Sequence, residues 1–338
     1  MKLYKYNIFV FVLAFYALSL TAYAQKRKVK LEVIASTEKQ WTGIAVSKNE
    51  RIFVNFPKWS DNVPVSVAEI INGKAVAFPA DQSIFVAVQA VVIDAKNRLW
   101  VVDTRNPQFQ GVMDEGPVLY QFNLENNSKE KAYGFPKGVF QPNSYFNDVR
   151  IDTKNEVAYL TDSGNGALIV LDLKSGKSKR VLDHHSSTES EVDYLICNDI
   201  KWENTVHSDG IALTPNGKYL YYVALTGHTL YRIPTSALID ASLSDKMLAR
   251  KVEKVATIPA TDGMMFDQKG NLWLGGLEDN SINLLKKDGS VHKVIKDKII
   301  RWADSFSKGK NGSIYFTTAQ IHLPENQRKK YQVLKLSK

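Results

Sequence analysis

One cysteine stands in the 338 residues. Cys197 has no partner for an internal bridge, so the fold must be held by packing, and a disulfide scaffold is excluded. Long apolar runs are equally scarce. Past residue 24 no stretch approaches the roughly 20 apolar residues a membrane-spanning helix needs, so no membrane span is expected. A Gly-x-Ser-x-Gly elbow is missing, which removes the usual serine-hydrolase arrangement. Gly164-Asn165-Gly166 is not followed by a helical pattern and is no phosphate loop. The charge balance is basic, with 44 Lys and Arg against 35 Asp and Glu, yet the cations are scattered through turns such as Lys174 to Arg180 and around Arg328 to Lys330. Without an aromatic-interleaved basic stripe, no nucleic-acid partner is expected.

The first residues read as an export address. Lys2 and Lys5 form a basic leader, Ile8 to Leu20 is apolar apart from Ser19, and Ala22-Tyr23-Ala24 is an A-x-A cleavage site. Cleavage after Ala24 would leave a secreted or periplasmic chain, and the unbroken repeat described next makes residues 25–338 one domain.

What fills that domain is a phrase returning six times. Its plainest copy is TDGMMFDQKGNLWLG at 261–275. A polar and a small residue lead into an alternating strand, a Gly or Asn turn reverses the chain, and a second strand rich in Leu, Trp, Tyr and Val follows. The other copies begin at Trp41, Val88, Phe146, Ser208 and Ala303. Steps of about 40 to 60 residues with several short strands per unit predict an all-β, six-bladed propeller. The strand-like segments VKLEVIAS from Val29 and YQVLKLSK from Tyr331 are expected to close it by sharing one blade, which removes two exposed edges. Residues 183–207 depart from the repeat and read either as a lid over a site or as a surface hairpin.

Aligned on the turn, the leading polar positions are Thr42, Gln89, Asn147, Asp209, Asp262 and Asp304. Rotation about the propeller axis would bring all six into a ring at one mouth of the central channel. Three carboxylates converging there repel by roughly 3 kcal/mol per pair at 6 Å and an effective dielectric near 20. Either a cation offsets this or at least one Asp holds a proton at unusually high pH. The oxygen ligands, with no His or Cys in the column, suit calcium and not zinc.

Two resemblances sharpen this. FNDVRIDTKNEVAYLTDSGNGALIVLDLKSGKSKRVL, SDGIALTPNGKYLYYVALTGHTLYRIPTSAL, TDGMMFDQKGNLWLGG and RWADSFSKGKNGSIYFTTAQIH, in that order and spacing, resemble the Yellow and major royal jelly protein family, over nearly all of the chain past residue 24. That resemblance implies a secreted six-bladed propeller whose members bind aromatic amines in an axial pocket, take part in dopachrome conversion, or do no chemistry. A more distant resemblance, to calcium-dependent lactonases of the gluconolactonase and regucalcin type, implies metal ligands at Asn147, Asp209 and Asp262, with Asp262 as base or nucleophile. Those enzymes carry a glutamate before Gly-Pro in the first blade, whereas this chain has Trp41-Thr42-Gly43.

The expected ligand is a small molecule, an aromatic amine or a cyclic ester. In a hydrolytic reading Asp262 or Asp304 takes a proton from water, Gln89 and Thr42 orient substrate hydroxyls, and Met264 and Trp302 form an apolar wall. A tautomerase-like isomerisation is the other catalytic form. In a binding reading the carboxylates pair with an ammonium while an aromatic face stacks on its ring. A partner-binding scaffold without turnover is the alternative to both.

Overall fold

The structure is a computed structural model and describes residues 29–337. The export address lies outside the described residues. Six four-stranded antiparallel sheets follow one another in chain order. Their innermost strands are Ile44–Val46, Val88–Ile93, Phe146–Asp152, Ser208–Leu213, Met264–Phe266 and Ala303–Lys308. Five sheets are plain meanders. The sixth takes three strands from the C-terminal end and its outermost from the N-terminal end, with Lys30–Thr37 paired antiparallel on Tyr331–Ser337. The propeller is therefore closed as the two terminal strands predict.

Each blade's second strand is buried over nearly its whole length because it is covered on both faces. Val157–Asp162 and Leu272–Gly276 are buried at every position, so period-two alternation gives way to near-continuous burial. The core accordingly sits between blades. Trp100 of the second blade packs with Phe146, Ala158, Leu160 and Ile169 of the third, and Tyr159 and Leu168 pack with Ile211 and Tyr222 of the fourth.

A local irregularity aims the ring residues. The inner-strand register shifts between Val88 and Ala90, Phe146 and Val149, Ser208 and Ile211, and Ala303 and Phe306. Each shift spans a leading polar residue, and a bulge of this kind frees a side chain from the ladder. In the first and fifth blades the strand begins only at Ile44 and Met264, two residues after Thr42 and Asp262. The backbone at these positions is clamped by the preceding blade. Thr42 Oγ1 donates to the Gln89 carbonyl, Thr161 Oγ1 to that of Asp209, and Thr317 Oγ1 to that of Thr42.

The small residue after a ring position has the same cause. A Cβ on Gly210 would lie 2.3 Å from the Asp262 carbonyl oxygen, and one on Gly263 would lie 2.3 Å from that of Asp304. Gly263 N–H donates to that Asp304 oxygen at 2.5 Å. Gly263→Ala is therefore expected to cost about 1–3 kcal/mol through forced backbone displacement, read as a lower Tm in thermal unfolding. An unchanged Tm would show that the blades do not meet this closely.

Residues 183–207 contain a two-stranded hairpin, Tyr194–Cys197 with Ile200–Glu203, outside the six blades. Its Leu195 and Cys197, together with Trp202 and Val206, pack on Leu225, Ala260, Leu277, Trp302 and Ala319. The hairpin thus covers the mouth of the fourth, fifth and sixth blades.

Candidate functional site

A cavity of about 430 Å³ opens on the ring end of the propeller. Gln89, Asn147, Asp209, Asp262 and Asp304 line it, as do the aromatic residues Trp59, Phe109, Tyr145 and Trp202. Five of the six leading polar positions therefore meet at one cavity. The sixth, Thr42, is turned inward: its hydroxyl donates to the Gln89 carbonyl at 3.1 Å and accepts from Asn55 Nδ2 at 2.8 Å. Met264 is fully buried among Ala212, Val223 and Leu274 and does not line the cavity. Trp302 is also fully buried, and it reaches the site only through its indole N–H, which donates to Asp262 Oδ2 at 2.7 Å. An apolar wall of Met264 and Trp302 is thus replaced by Trp202, Val206, Leu225 and Ile321.

A chain of hydrogen bonds runs around the ring with every donor assigned. Trp59 Nε1–H donates to the Tyr145 hydroxyl at 2.7 Å, and Tyr145 donates to Gln89 Oε1 at 2.8 Å. Gln89 Nε2 donates to Asn147 Oδ1 at 3.2 Å, and Asn147 Nδ2 donates to Asp209 Oδ2 at 2.6 Å. Because an amide presents one acceptor and one donor side, fixing Tyr145 fixes the orientation of both carboxamides. The chain ends on a carboxylate that it can only donate to.

The three carboxylates are perturbed together. Burial pushes Asp209 well above the usual carboxylate range, and the charges of Asp262, Asp304 and Asp148 push it further. Asp304 is raised for the same reasons, burial first and then Asp262. Burial raises Asp262 to about 7, although the Trp302 hydrogen bond opposes the shift. Among the described residues, no Lys, Arg or His side chain is among the causes of these shifts. Arg150 is spent elsewhere, with Nη1 on Asp148 at 2.8 Å and Nη2 on the Met264 carbonyl at 2.9 Å. Desolvated like charges of this kind share protons until a cation arrives.

Calcium was expected at Asn147, Asp209 and Asp262, and the donor atoms are of the right hardness. In this structure those donors are bonded to one another. Asn147 directs its NH2 group toward Asp209, Thr42 spends its hydroxyl internally, and among the described residues no three His, Cys, Asp or Glu side chains converge closely enough to hold a metal.

Other candidates fall away on contact. Cys197 is buried, and burial pushes its thiol up to about 12, so it is not a nucleophile at neutral pH. His207 Nδ1 accepts from Ser190 N–H at 3.1 Å, and burial holds its pKa below the usual value. A groove of about 590 Å³ lies at the far end of the strands among the hairpin turns, but its one carboxylate, Asp152, is consumed by Lys154 N–H, Asn155 N–H and Asn155 Nδ2. Trp59, Phe109 and Tyr145 were missed in the sequence because two of them sit in loops without a period. Tyr145, two residues before Asn147, carried the only usable signal.

A sequence model of the family described as Major royal jelly protein matches residues 86–301. The chain belongs to this family. Protein yellow of Drosophila guanche is 25% identical over 226 residues, which are 58% of this chain and 39% of that protein. The Yellow-related salivary protein ASP4 of Phlebotomus orientalis is 24% identical over 215 residues, 56% of this chain and 54% of that protein. This royal jelly family chain thus spans little more than half of such relatives at most. Among solved structures, a gluconolactonase from Xanthomonas campestris superposes with a TM-score of 0.60 at 13% identity, covering 92% of this chain and 89% of that one. At that identity the likeness shows a shared propeller fold. Among the described residues no helix is long and apolar enough to cross a membrane.

Proposed function

We propose that this royal jelly family propeller is exported and binds a small aromatic ammonium compound in its axial cavity. The observation that carries the reading is the set of three buried carboxylates, Asp209, Asp262 and Asp304, lining one cavity with no cation among the described residues contributing to their shifts. A ligand ammonium supplies the missing charge. Its ring fits against Phe109 and Tyr145, which stack on each other at 4.8 Å, and against Trp202, which lines the same cavity. A volume of about 430 Å³ falls within the roughly 300–1,000 Å³ typical of small-molecule pockets.

A second reading, conversion of the bound compound, is favoured by Asp262. A carboxyl with a pKa of about 7 exchanges protons readily at neutral pH and suits a tautomerase-like isomerisation. Metal-assisted opening of a cyclic ester has less support, since the oxygen ligands are already committed to one another.

Titration of the purified protein with tyramine, with added calcium and with a chelator separates these. Tyramine at a hundred times its Kd is expected to add about 2.7 kcal/mol of stability, while calcium and chelator leave Tm unmoved. A calcium-dependent shift would restore the lactonase-like reading, and no shift with either would favour a scaffold.

A further inference from the structure

A second cavity, of about 460 Å³, shares a wall with the axial one: Trp59 and Phe109 line both. The two rings face each other at 6.0 Å and an interplanar angle of 31°. The two cavities therefore meet at an aromatic pair carried outside the strands. Its backbone is strained. Arg105, Gln108 and Phe109 adopt φ of 47°, 53° and 58°, a region that costs residues bearing a Cβ roughly 1–2 kcal/mol each. Bonds between the two loops hold it there, from Gln108 N–H to the Lys58 carbonyl at 2.8 Å and from Gln108 Nε2 to Asp61 Oδ1 at 3.0 Å. The outcome is a phenylalanine left 61% exposed where both cavities meet. Strain spent on exposing an apolar ring points to contact with something that is not protein core.

The rim cavity also holds Arg328, which forms no ion pair among the described residues. Arg328 Nε donates to the Leu323 carbonyl at 2.8 Å, but Nη1 reaches only Gln40 Oε1 at 3.4 Å and the Tyr331 hydroxyl at 3.5 Å. Lys39, Glu38 and Glu325 line the same cavity. Glu38 is paired with Lys330 at 3.3 Å, and Glu325 forms no ion pair with Arg328 although it lies three residues away in the chain. Arg328 is half-buried, with Gln40 and Tyr331 beside it in the lining. A half-buried guanidinium with no ion-pair partner is suited to bidentate binding of a carboxylate.

We propose that the rim cavity is a second subsite, which takes the carboxylate end of an elongated zwitterionic ligand whose ammonium end lies among Asp209, Asp262 and Asp304. The proposal rests on the ammonium reading of the axial cavity. Opposite charges at the two ends fix the direction of binding, and the Trp59–Phe109 pair packs on the middle. A short peptide with a free amino terminus, an aromatic first residue and a free carboxyl terminus has this chemistry.

Three probes test it by calorimetry on the full chain: the tripeptide Tyr-Gly-Gly, its C-terminal amide, and tyramine, which has no anionic end and reads the axial cavity alone. The free acid is expected to bind about tenfold tighter than the amide, as one charged hydrogen-bonded contact provides. Arg328→Gln should bring acid and amide within about twofold, and Arg328→Lys should restore part of the difference. Equal binding of acid and amide to the wild type, a difference that survives Arg328→Gln, or no binding of either peptide overturns the subsite. If tyramine binds while acid and amide are equal, the subsite fails and the axial reading stands. If tyramine fails while the acid–amide difference appears and is lost with Arg328→Gln, the axial reading fails and the subsite stands.

Discussion

Asp262→Asn is expected to weaken tyramine binding by about a hundredfold or more while leaving the protein at least as stable as the wild type at pH 8. Losing one member of a buried charge pair costs roughly 2–5 kcal/mol, and each 1.4 kcal/mol is tenfold in affinity. The stability half follows from the site's hydrogen bonds. Asp262 Oδ2 accepts from Trp302 Nε1–H at 2.7 Å, and the carboxyl also shares a hydrogen bond with Asp209. An asparagine side chain keeps an oxygen for the indole and offers an N–H to Asp209, while one of three mutually repelling charges disappears. Asp262→Ala should behave differently. It strands a buried indole N–H, which costs about 1–3 kcal/mol, so its Tm should fall below that of the wild type. Should both variants bind tyramine as the wild type does, the carboxylates are not the ammonium site.

The second large effect is on pH. Tyramine keeps its positive charge through neutral pH, so its affinity follows the ionisation of the cluster. Asp262 titrates at about 7, and Asp209 and Asp304 are raised with it. Below about pH 7 the ligand must displace a proton, and affinity should fall by about tenfold per pH unit for each proton displaced. Stability of the ligand-free protein runs the other way. A carboxyl whose folded pKa lies above its unfolded value binds more protons when folded, so unfolding releases protons and stability falls as pH rises. The contribution is fully present below the unfolded value of 3.8 and is lost as pH rises to about 7. Comparing Tm of wild type and Asp262→Asn at each pH isolates the cluster from the other carboxylates. The variant should gain on the wild type between pH 4 and pH 7.5, by several degrees at the upper end. A difference that stays flat across that range would mean that Asp262 is not buried against its neighbours.

Legibility in the sequence was uneven for a physical reason. The hairpin phrase recurs because every blade solves the same packing problem, so a period in the chain mirrors a rotation in space. That is why the blades, the closure by Lys30–Thr37 on Tyr331–Ser337, and the gathering of Gln89, Asn147, Asp209, Asp262 and Asp304 could be read in advance. Thr42 occupies the same column, yet Asn55 and the Gln89 carbonyl capture its hydroxyl. Column membership fixes where a backbone position lies and leaves open which way a short side chain turns. Trp302 erred in the opposite direction: it looked like a wall and became a hydrogen-bond donor behind one.

The chain's own pattern determined the propeller, its closure and the column of polar residues facing the axis, because these follow from local periodicity and rotational repetition. Only the tertiary structure decided that Trp59, Phe109, Tyr145 and Trp202 surround that column, and that burial raises its carboxylates together. These residues come from non-repeating loops and an inserted hairpin, whose positions depend on contacts made far along the chain. Burial and charge coupling are likewise properties of the assembled cavity, and no single stretch of sequence carries them.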